Sequence, residues 1–382
     1  MSFVEELLRL IAEACLAGAV IGSIYLAVAC ISVLRFGRKR VATAAPVPVT
    51  ILVPLCGHEP GLYGRLRALC EQAYAAPVQI LCALQDASDP ALADVKKLAA
   101  DLPKANIEWH VDSRLHGRNM KMSNLANAIG RVRHDVLVMI DSDIVVPPDH
   151  LARVVGELQE PNVGAVTCPY YGIAEGNHWT KLSAMSNNLQ FLPSAIVALA
   201  TRLGRPCFGS TIAMRRELLE RIGGLHRFAD HLWDDYAIGQ AVRETGLQVA
   251  MCSLAVGHVC TESTAREFFD YQWRNAITTG GIDPIGHVGS VIIHPFALAV
   301  LAGVLGAGDQ AAVLALVALA GRMALADCMR HRFGIASTLW LVPINDLFSF
   351  GVYITSFLGG TVIWRGQRYR VRSDGKLLPV SQ

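Results

Sequence analysis

The chain has 382 residues, 52% of them hydrophobic and 17% charged, with a formal net charge of +2. That length allows one full domain plus further elements, and the near-neutral charge excludes the strongly basic surface that nucleic-acid binding needs. The apolar excess is that of a membrane-associated protein: it collects at the two ends of the chain, with basic residues beside it.

Residues 14–34 form the first apolar run, about 20 residues, enough to cross a bilayer. Arg35, Arg38, Lys39 and Arg40 follow it, so the amino terminus is expected outside and the rest of the chain on the cytoplasmic side. Glu5 and Glu6 precede the run and the basic cluster follows it, which argues against a cleaved signal peptide. A short Ala/Pro linker occupies residues 43–48.

Strands and helices then alternate. Residues 49–54, 78–84, 107–111 and 136–140 read as buried strands, and 62–72, 91–102 and 119–131 as helices. This order predicts an α/β fold with a mainly parallel, doubly wound sheet. Ligands of such sheets bind outside the carboxyl ends of the strands. Two strands end there in acidic clusters, Asp86/Asp89 and Asp141-Ser142-Asp143. Carboxylates at i and i+2 suit Mg²⁺ or Mn²⁺, although Asp-x-Asp alone is equally the sequence of a polar turn.

Residues 164–169 read as a further strand and 179–200 as a long helical stretch with an apolar face. Phe208-Gly209-Ser210-Thr211 leads into a short strand at 212–215. His231-Leu232-Trp233-Asp234-Asp235-Tyr236 opens a helix reaching residue 245, where acidic residues also suit the helix dipole. Residues 266–276 form an amphipathic helix rich in aromatics. Residues 288–305 and 311–328 are expected to form a membrane hairpin that returns the chain to Arg330-His331-Arg332. Residues 338–364 are apolar but interrupted by Pro343, Asn345 and Asp346. A single crossing there would leave Arg365, Arg368, Arg370 and Arg372 outside, so an interfacial or re-entrant segment is expected. The ten cysteines include no Cys-x-x-Cys pair. They read as reduced thiols, with neither a zinc site nor a disulfide framework. Residues 1–42 are thus an anchor, 43–284 a cytosolic domain, and 285–382 a membrane hairpin, an interfacial segment and a basic tail.

Pro54-Leu55-Cys56-Gly57, Glu59-Pro60-Gly61-Leu62, Gln85-Asp86 with Asp89-Pro90, Gly117-Arg118-Asn119-Met120-Lys121, Asp141-Ser142-Asp143, Gly209-Ser210, Gly223-Gly224-Leu225, Asp234-Asp235-Tyr236 and Trp364-Arg365-Gly366 occur in this order. From about residue 49 onward the chain resembles the membrane-bound glycosyltransferases of the ceramide glucosyltransferase type. Within bacteria it is especially similar to the hopanoid-biosynthesis glycosyltransferases. The resemblance implies a GT-A catalytic domain that uses a UDP-sugar, inverts the anomeric centre and acts on a membrane lipid at the bacterial inner membrane. It implies that Asp89, with Asp86 nearby, holds the uridine, that Asp141 and Asp143 take a divalent metal and the diphosphate, and that Asp235 is the general base. The family's last motif, Gln/Arg-x-x-Arg-Trp, falls on Tyr271, Gln272, Trp273, Arg274 and Asn275. The arginine is kept; the first position is Tyr and the last is Asn.

An acceptor hydroxyl needs a carboxylate to take its proton, a role open to Asp235 or Asp234. Charge growing on the leaving UDP can be met by a cation at Asp141/Asp143 and by Arg274. Lys121 either adds a point charge on the phosphates or is an ordinary helix lysine. The preferred acceptor is a hopanoid, taking N-acetylglucosamine from its UDP donor; ceramide with glucose is the near alternative. A processive polysaccharide synthase normally has more spans, and a non-catalytic scaffold is favoured only by the incomplete last motif.

Overall fold

The computed structural model describes residues 2–37, 45–201, 204–364, 367–372 and 375–379. Arg38, Lys39, Arg40 and Arg365, and Thr43 at the start of the linker, lie outside the described residues.

The strands in chain order are β1 (Val49–Pro54), β2 (Val78–Leu84), β3 (Asn106–Val111), β4 (Val136–Met139), β5 (Ile144–Val145), β6 (Val163–Thr167) and β7 (Tyr170–Ala174). They continue with β8 (Ile212–Arg215), β9 (Gln248–Met251), β10 (Val256–Cys260), β11 (Thr361–Trp364), β12 (Gln367–Val371) and β13 (Leu377–Pro379). Seven form one sheet in the order β3-β2-β1-β4-β8-β6-β9. The pairs β1–β2, β2–β3, β1–β4 and β6–β9 are parallel, and β8 runs antiparallel between β4 and β6. Both faces are covered, as the continuous apolar runs require. Ile51, Val53 and Val138 face one core with Leu66, Val95 and Leu151. Leu52, Leu137 and Met139 face the other with Met122, Leu125 and Ile238. The strand order reverses at β1, so the carboxyl ends of β1 and β4 open a crevice there.

Two smaller sheets were not legible in the sequence. One has the order β5-β10-β7 and continues the crevice wall; the other is β11-β12-β13. The last one packs Val362, Tyr369 and Leu377 against Leu232 and Ile277. It is hydrogen-bonded to the loop before Asp234, through Leu232 N–H to Gly375 O (3.0 Å) and Leu377 N–H to Asp230 O (3.1 Å).

Among the described residues two helices are long and apolar enough to cross a membrane, Phe3–Arg35 and Gly308–Phe333. The first begins well before residue 14, where Ser2 and Glu5 form a capping box. The expected hairpin differs from the structure in its first arm. Residues 288–305 are not one straight helix: the segments Pro284–Ile293 and Pro295–Val304 meet at a 73° bend. Pro295 has no N–H to continue the ladder, and the ten residues of Pro295–Val304 make only about 15 Å of helix. In the last apolar segment, the helix Val342–Ser356 ends before Gly359-Gly360 and the chain enters β11. The helical stretch at 179–200 is present as His178–Ser186 and Leu192–Thr201, joined by a π-helix at Asn187–Phe191. All ten cysteines are free thiols.

Candidate active site

Strand β4 delivers the aspartate pair. Its residues are fully buried, and Ile140 N–H bonds Leu52 O on β1 (3.1 Å), so the chain leaves the sheet at Asp141. Ser142 is then gripped from both sides. Its Oγ donates to Glu59 Oε1 (2.6 Å), and its carbonyl accepts from Arg65 Nε (2.6 Å). Arg65 also pairs with Glu59 at 3.0 Å. Glu59 and Arg65, to which the sequence assigned no role, therefore fix the turn that aims the two carboxylates.

Lys121 enters from the helix Met120–Ala128, whose N-cap Asn119 accepts from Met122 N–H. The same buried amide donates to His231 O (3.0 Å) and Asp234 Oδ1 (3.1 Å). One side chain thus ties the start of this helix to the start of Asp234–Glu244. Lys121 Nζ lies 2.6 Å from Asp141 Oδ1 and 3.5 Å from Asp234 Oδ2. Burial works against the ammonium, but Asp141, Asp234 and Asp235 outweigh it and raise its pKa. The Lys121 that the sequence left undecided is a crevice lysine.

Asp235 accepts from Gly209 N–H at Oδ2 (2.9 Å) and from Tyr236 N–H at Oδ1 (2.7 Å). A β-carbon on Gly209 would stand 3.0 Å from Lys121 Nζ, 3.2 Å from Asp141 Oδ2 and 3.7 Å from Asp235 Oδ2. Three charged side chains converge there and leave little room for a larger residue. Burial pushes Asp235 up to about 6, with Asp234 adding to the shift and Lys121 opposing it. Burial likewise pushes Asp141 up to about 7 against the pull of Lys121. For Asp143 burial is outweighed by His258, 3.3 Å away, and the carboxyl is lowered. Burial disfavours the His258 imidazolium, yet Asp143 holds its pKa well above the usual histidine value.

His258 begins an aromatic wall that the sequence did not reveal. Its ring is 5.3 Å from Tyr170 and 6.3 Å from Tyr271. Tyr170 stacks on Phe191 at 4.4 Å, and Phe191 meets Phe208 edge-on at 5.2 Å. Phe208 immediately precedes Gly209, so the wall borders Asp235. The one sequence signal was a histidine in an otherwise apolar strand, Val256–Cys260.

The remaining expected residues stand apart from this cluster. Asp89 bonds Gly57 N–H through both oxygens (3.0 and 2.9 Å) and Ala91 N–H (2.9 Å), joining the loops after β1 and β2. Asp86 caps a turn at Ser88, whose N–H and hydroxyl hold its pKa down. Arg274 lies over the Tyr271 ring at 5.6 Å. Tyr271 and His258 stand between it and Asp143, and among the described residues no ion pair joins it to Asp141 or Asp143.

Among the described residues no three His, Cys, Asp or Glu side chains converge as a preformed metal cage. The aspartate pair nevertheless fits a hard cation. Asp143 Oδ1 is buried with no hydrogen-bond partner, and Mg²⁺ is commonly held by one or two carboxylates plus substrate phosphates and water.

A family model for glycosyl transferase family 21 matches residues 14–377. Ceramide glucosyltransferase 1 of Caenorhabditis elegans is 22% identical over 244 residues, 63% of this chain and 51% of that protein. A ceramide glucosyltransferase of Gibberella zeae is 31% identical over 131 residues, 32% of this chain and 25% of that one. The chain thus spans about half the length, or less, of these relatives. Among solved structures, a mannosyltransferase from Pyrobaculum calidifontis, in complex with GDP-Man and Mn²⁺, superposes with a TM-score of 0.52 at 21% identity. It covers 92% of this chain and 99% of its own. That likeness establishes a shared GT-A glycosyltransferase fold.

Proposed function

This chain belongs to glycosyl transferase family 21, and from that premise we propose that it moves a sugar from a UDP-sugar to the hydroxyl of a membrane lipid, with inversion. The observation that carries the reading is the convergence of Asp141, Lys121 and Asp235 on Gly209. A base and a phosphate-side cation meet there at the rim of the sheet, beside an aromatic wall.

Asp235 takes the proton of the acceptor hydroxyl as its oxygen attacks the anomeric carbon. The new bond forms on the face opposite the bond from that carbon to the diphosphate oxygen, which breaks, and UDP leaves with the electron pair. An inverting displacement from an activated donor needs one base and no general acid. Asp234 is engaged by Asn119 and Lys121, which favours Asp235 as the base. Lys121 supplies positive charge to the diphosphate. Asp141 and Asp143 would hold a divalent ion, Mg²⁺ or Mn²⁺, which supplies Lewis-acid neutralisation of the leaving group. Asp89 and Asp86 sit at the next strand end, the uridine side. Arg274 steadies Tyr271 and, through it, His258.

The lipid acceptor is supported by the two apolar helices and by the relatives named as ceramide glucosyltransferases. The finer assignment, N-acetylglucosamine onto a hopanoid, rests on the motif resemblance. Glucose onto ceramide is the second reading, favoured by the names of the relatives. A cytoplasmic catalytic domain is supported by the basic residues beside the apolar segments, and the bacterial inner membrane rests on the motif resemblance.

The test is mass spectrometry of lipids after incubating the membrane-embedded protein with mixed UDP-sugars, hopanoid polyols and ceramide, beside Asp235→Asn. A hexosamine-bearing hopanoid absent from the variant supports the first assignment. A hexosylceramide moves the substrate to the second. No glycolipid from native protein with metal present overturns the reading.

A further inference from the structure

The helix Gly308–Phe333 carries Arg322, whose side chain is 1% exposed although its helix is one of the two apolar enough to cross a membrane. An arginine at that depth is costly unless it pairs with a carboxylate or with backbone carbonyls. Here each of the three guanidinium nitrogens has such a partner. Nε donates to Asp346 Oδ2 (3.0 Å), Nη1 to Leu189 O (2.7 Å) and Nη2 to Ile293 O (2.6 Å).

The two carbonyls sit where regular backbone fails. Ile293 ends the segment before the 73° bend, where Pro295 offers no N–H. Leu189 lies within the π-helix Asn187–Phe191, and wide turns of this kind cluster at functional sites. Irregular backbone at membrane depth persists only where protein groups satisfy it. A guanidinium can serve a carboxylate and two divergent carbonyls at once; an ammonium presents a point charge without that planar fork.

The π-helix passes this anchoring on toward the crevice, residue by residue. Asn187 Oδ1 accepts from Tyr271 OH (3.4 Å). Asn188 accepts from Gly172 N–H (2.8 Å) and donates to Gly172 O (3.0 Å). Gln190 donates to Asp346 Oδ1 (3.4 Å). Phe191 projects into the wall, against Tyr170 and Phe208. A chain of direct contacts therefore links Arg322 to the residue before Gly209, whose N–H holds Asp235.

We propose that Arg322, with Asp346, is a positioning residue for the acceptor. By fixing the π-helix Asn187–Phe191 from the membrane side, it sets the aromatic wall that seats the apolar body of the acceptor lipid beside Asp235. This rests on the lipid-acceptor reading above and deepens it. The donor side is held chiefly by a different frame, β4 with Glu59, Arg65 and Asn119, and meets the wall at His258, so acceptor binding should respond more than donor binding.

The experiment uses the full chain in lipid nanodiscs. Arg322→Met combined with Asp346→Leu removes the pair together and leaves no orphan charge, a change that buried ion pairs often tolerate. The expected result is a lipid KM raised about 10-fold, in the range that mutations along coupled elements produce. The Kd for the UDP-sugar, read by calorimetry, should stay within twofold (~2). Arg322→Lys keeps the charge opposite Asp346 and gives up the fork, so its lipid KM should rise by a smaller factor. An unchanged lipid KM in a double variant that reaches the membrane overturns the proposal. So does an equal loss of donor and acceptor binding, which would make Arg322 general scaffolding. If the double variant does not accumulate, Arg322→Lys decides by the same two readouts. A native protein that glycosylates no lipid overturns the functional reading first and this inference with it, whereas a working native protein isolates the fate of the inference.

Discussion

Two networks in this molecule share a cation paired with an aspartate and finish in opposite states. Around Lys121, the carboxylates of Asp141 and Asp143 are 29% and 40% exposed, and Asp143 keeps one buried oxygen without a partner. Around Arg322 and Asp346 the side chains are 1% and 2% exposed, and all three kinds of guanidinium nitrogen donate. The first set is incomplete and reachable, as a site must be if a diphosphate and a cation are to finish it. The second is closed to solvent, so it can hold shape but cannot reach a ligand. Pairing alone does not distinguish a site from a strut; access does.

The sharpest way to test the first half of that contrast is Asp235→Asn. Glycolipid formation should fall about 10²- to 10⁴-fold, the span of a lost general base, with UDP-sugar Kd nearly unchanged. Comparable loss of donor binding would show that the carboxylate belongs to the donor cradle instead.

The closed network should fail hardest when broken on one side. Arg322→Ala leaves Asp346 charged and buried and two carbonyls unbonded. That should cost about 3–5 kcal/mol, read as a lower thermal midpoint in detergent, whereas the paired apolar replacement should recover most of it. Lys121→Met breaks the open network and should cost less, about 1–3 kcal/mol, because water already reaches its partners. Added Mg²⁺ should restore part of that loss and none of the loss in Arg322→Ala. Equal response of both variants to Mg²⁺ would erase the distinction.

The smallest effect is on pH. Asp235 must be ionised to accept a proton, and burial pushes it up to about 6. kcat/KM should therefore fall as pH drops through about 6. The sign for stability is the reverse. Because the folded state binds this proton more tightly than the ordinary carboxyl of 3.8, its contribution to stability is full below about pH 4 and lost as pH rises through about 6. An acid limb nearer 4 would indicate that a different group is the base.

The legible part of this molecule was what one strand or one helix carries on its own. The strands β1, β2 and β4 announced themselves as apolar runs, whereas β3 is half-buried and carries Glu108 and His110, and the two aspartates that end β4 marked the candidate site. The motif resemblance singled out Asp235 over Asp234, and the sequence left Lys121 undecided between phosphate charge and an ordinary helix lysine. What escaped was set by contacts between distant segments. His258 matters only because β10 pairs with β5 and so lies beside Asp143. Glu59 and Arg65 matter because they meet Ser142 across the crevice. The π-helix has no residue pattern separable from the helix around it, and its reason is an arginine far along the chain. The bend at His294 was the one error with a local cue, since Pro295 was in view and a run of apolar residues outvoted it.

The sheet β11-β12-β13 carries a consequence for how the enzyme comes into being. Leu232, at the mouth of the helix that bears Asp235, is held by Gly375, and Asp230 by Leu377. A ribosome makes Asp235 long before it makes these partners, and the helices Pro295–Val304, Gly308–Phe333 and Val342–Ser356 emerge between the two events. The loop before Asp235 therefore gains its last hydrogen bonds only after those apolar segments have left the ribosome. Assembly order delays the finished crevice until the carboxyl-terminal apolar helices have been made.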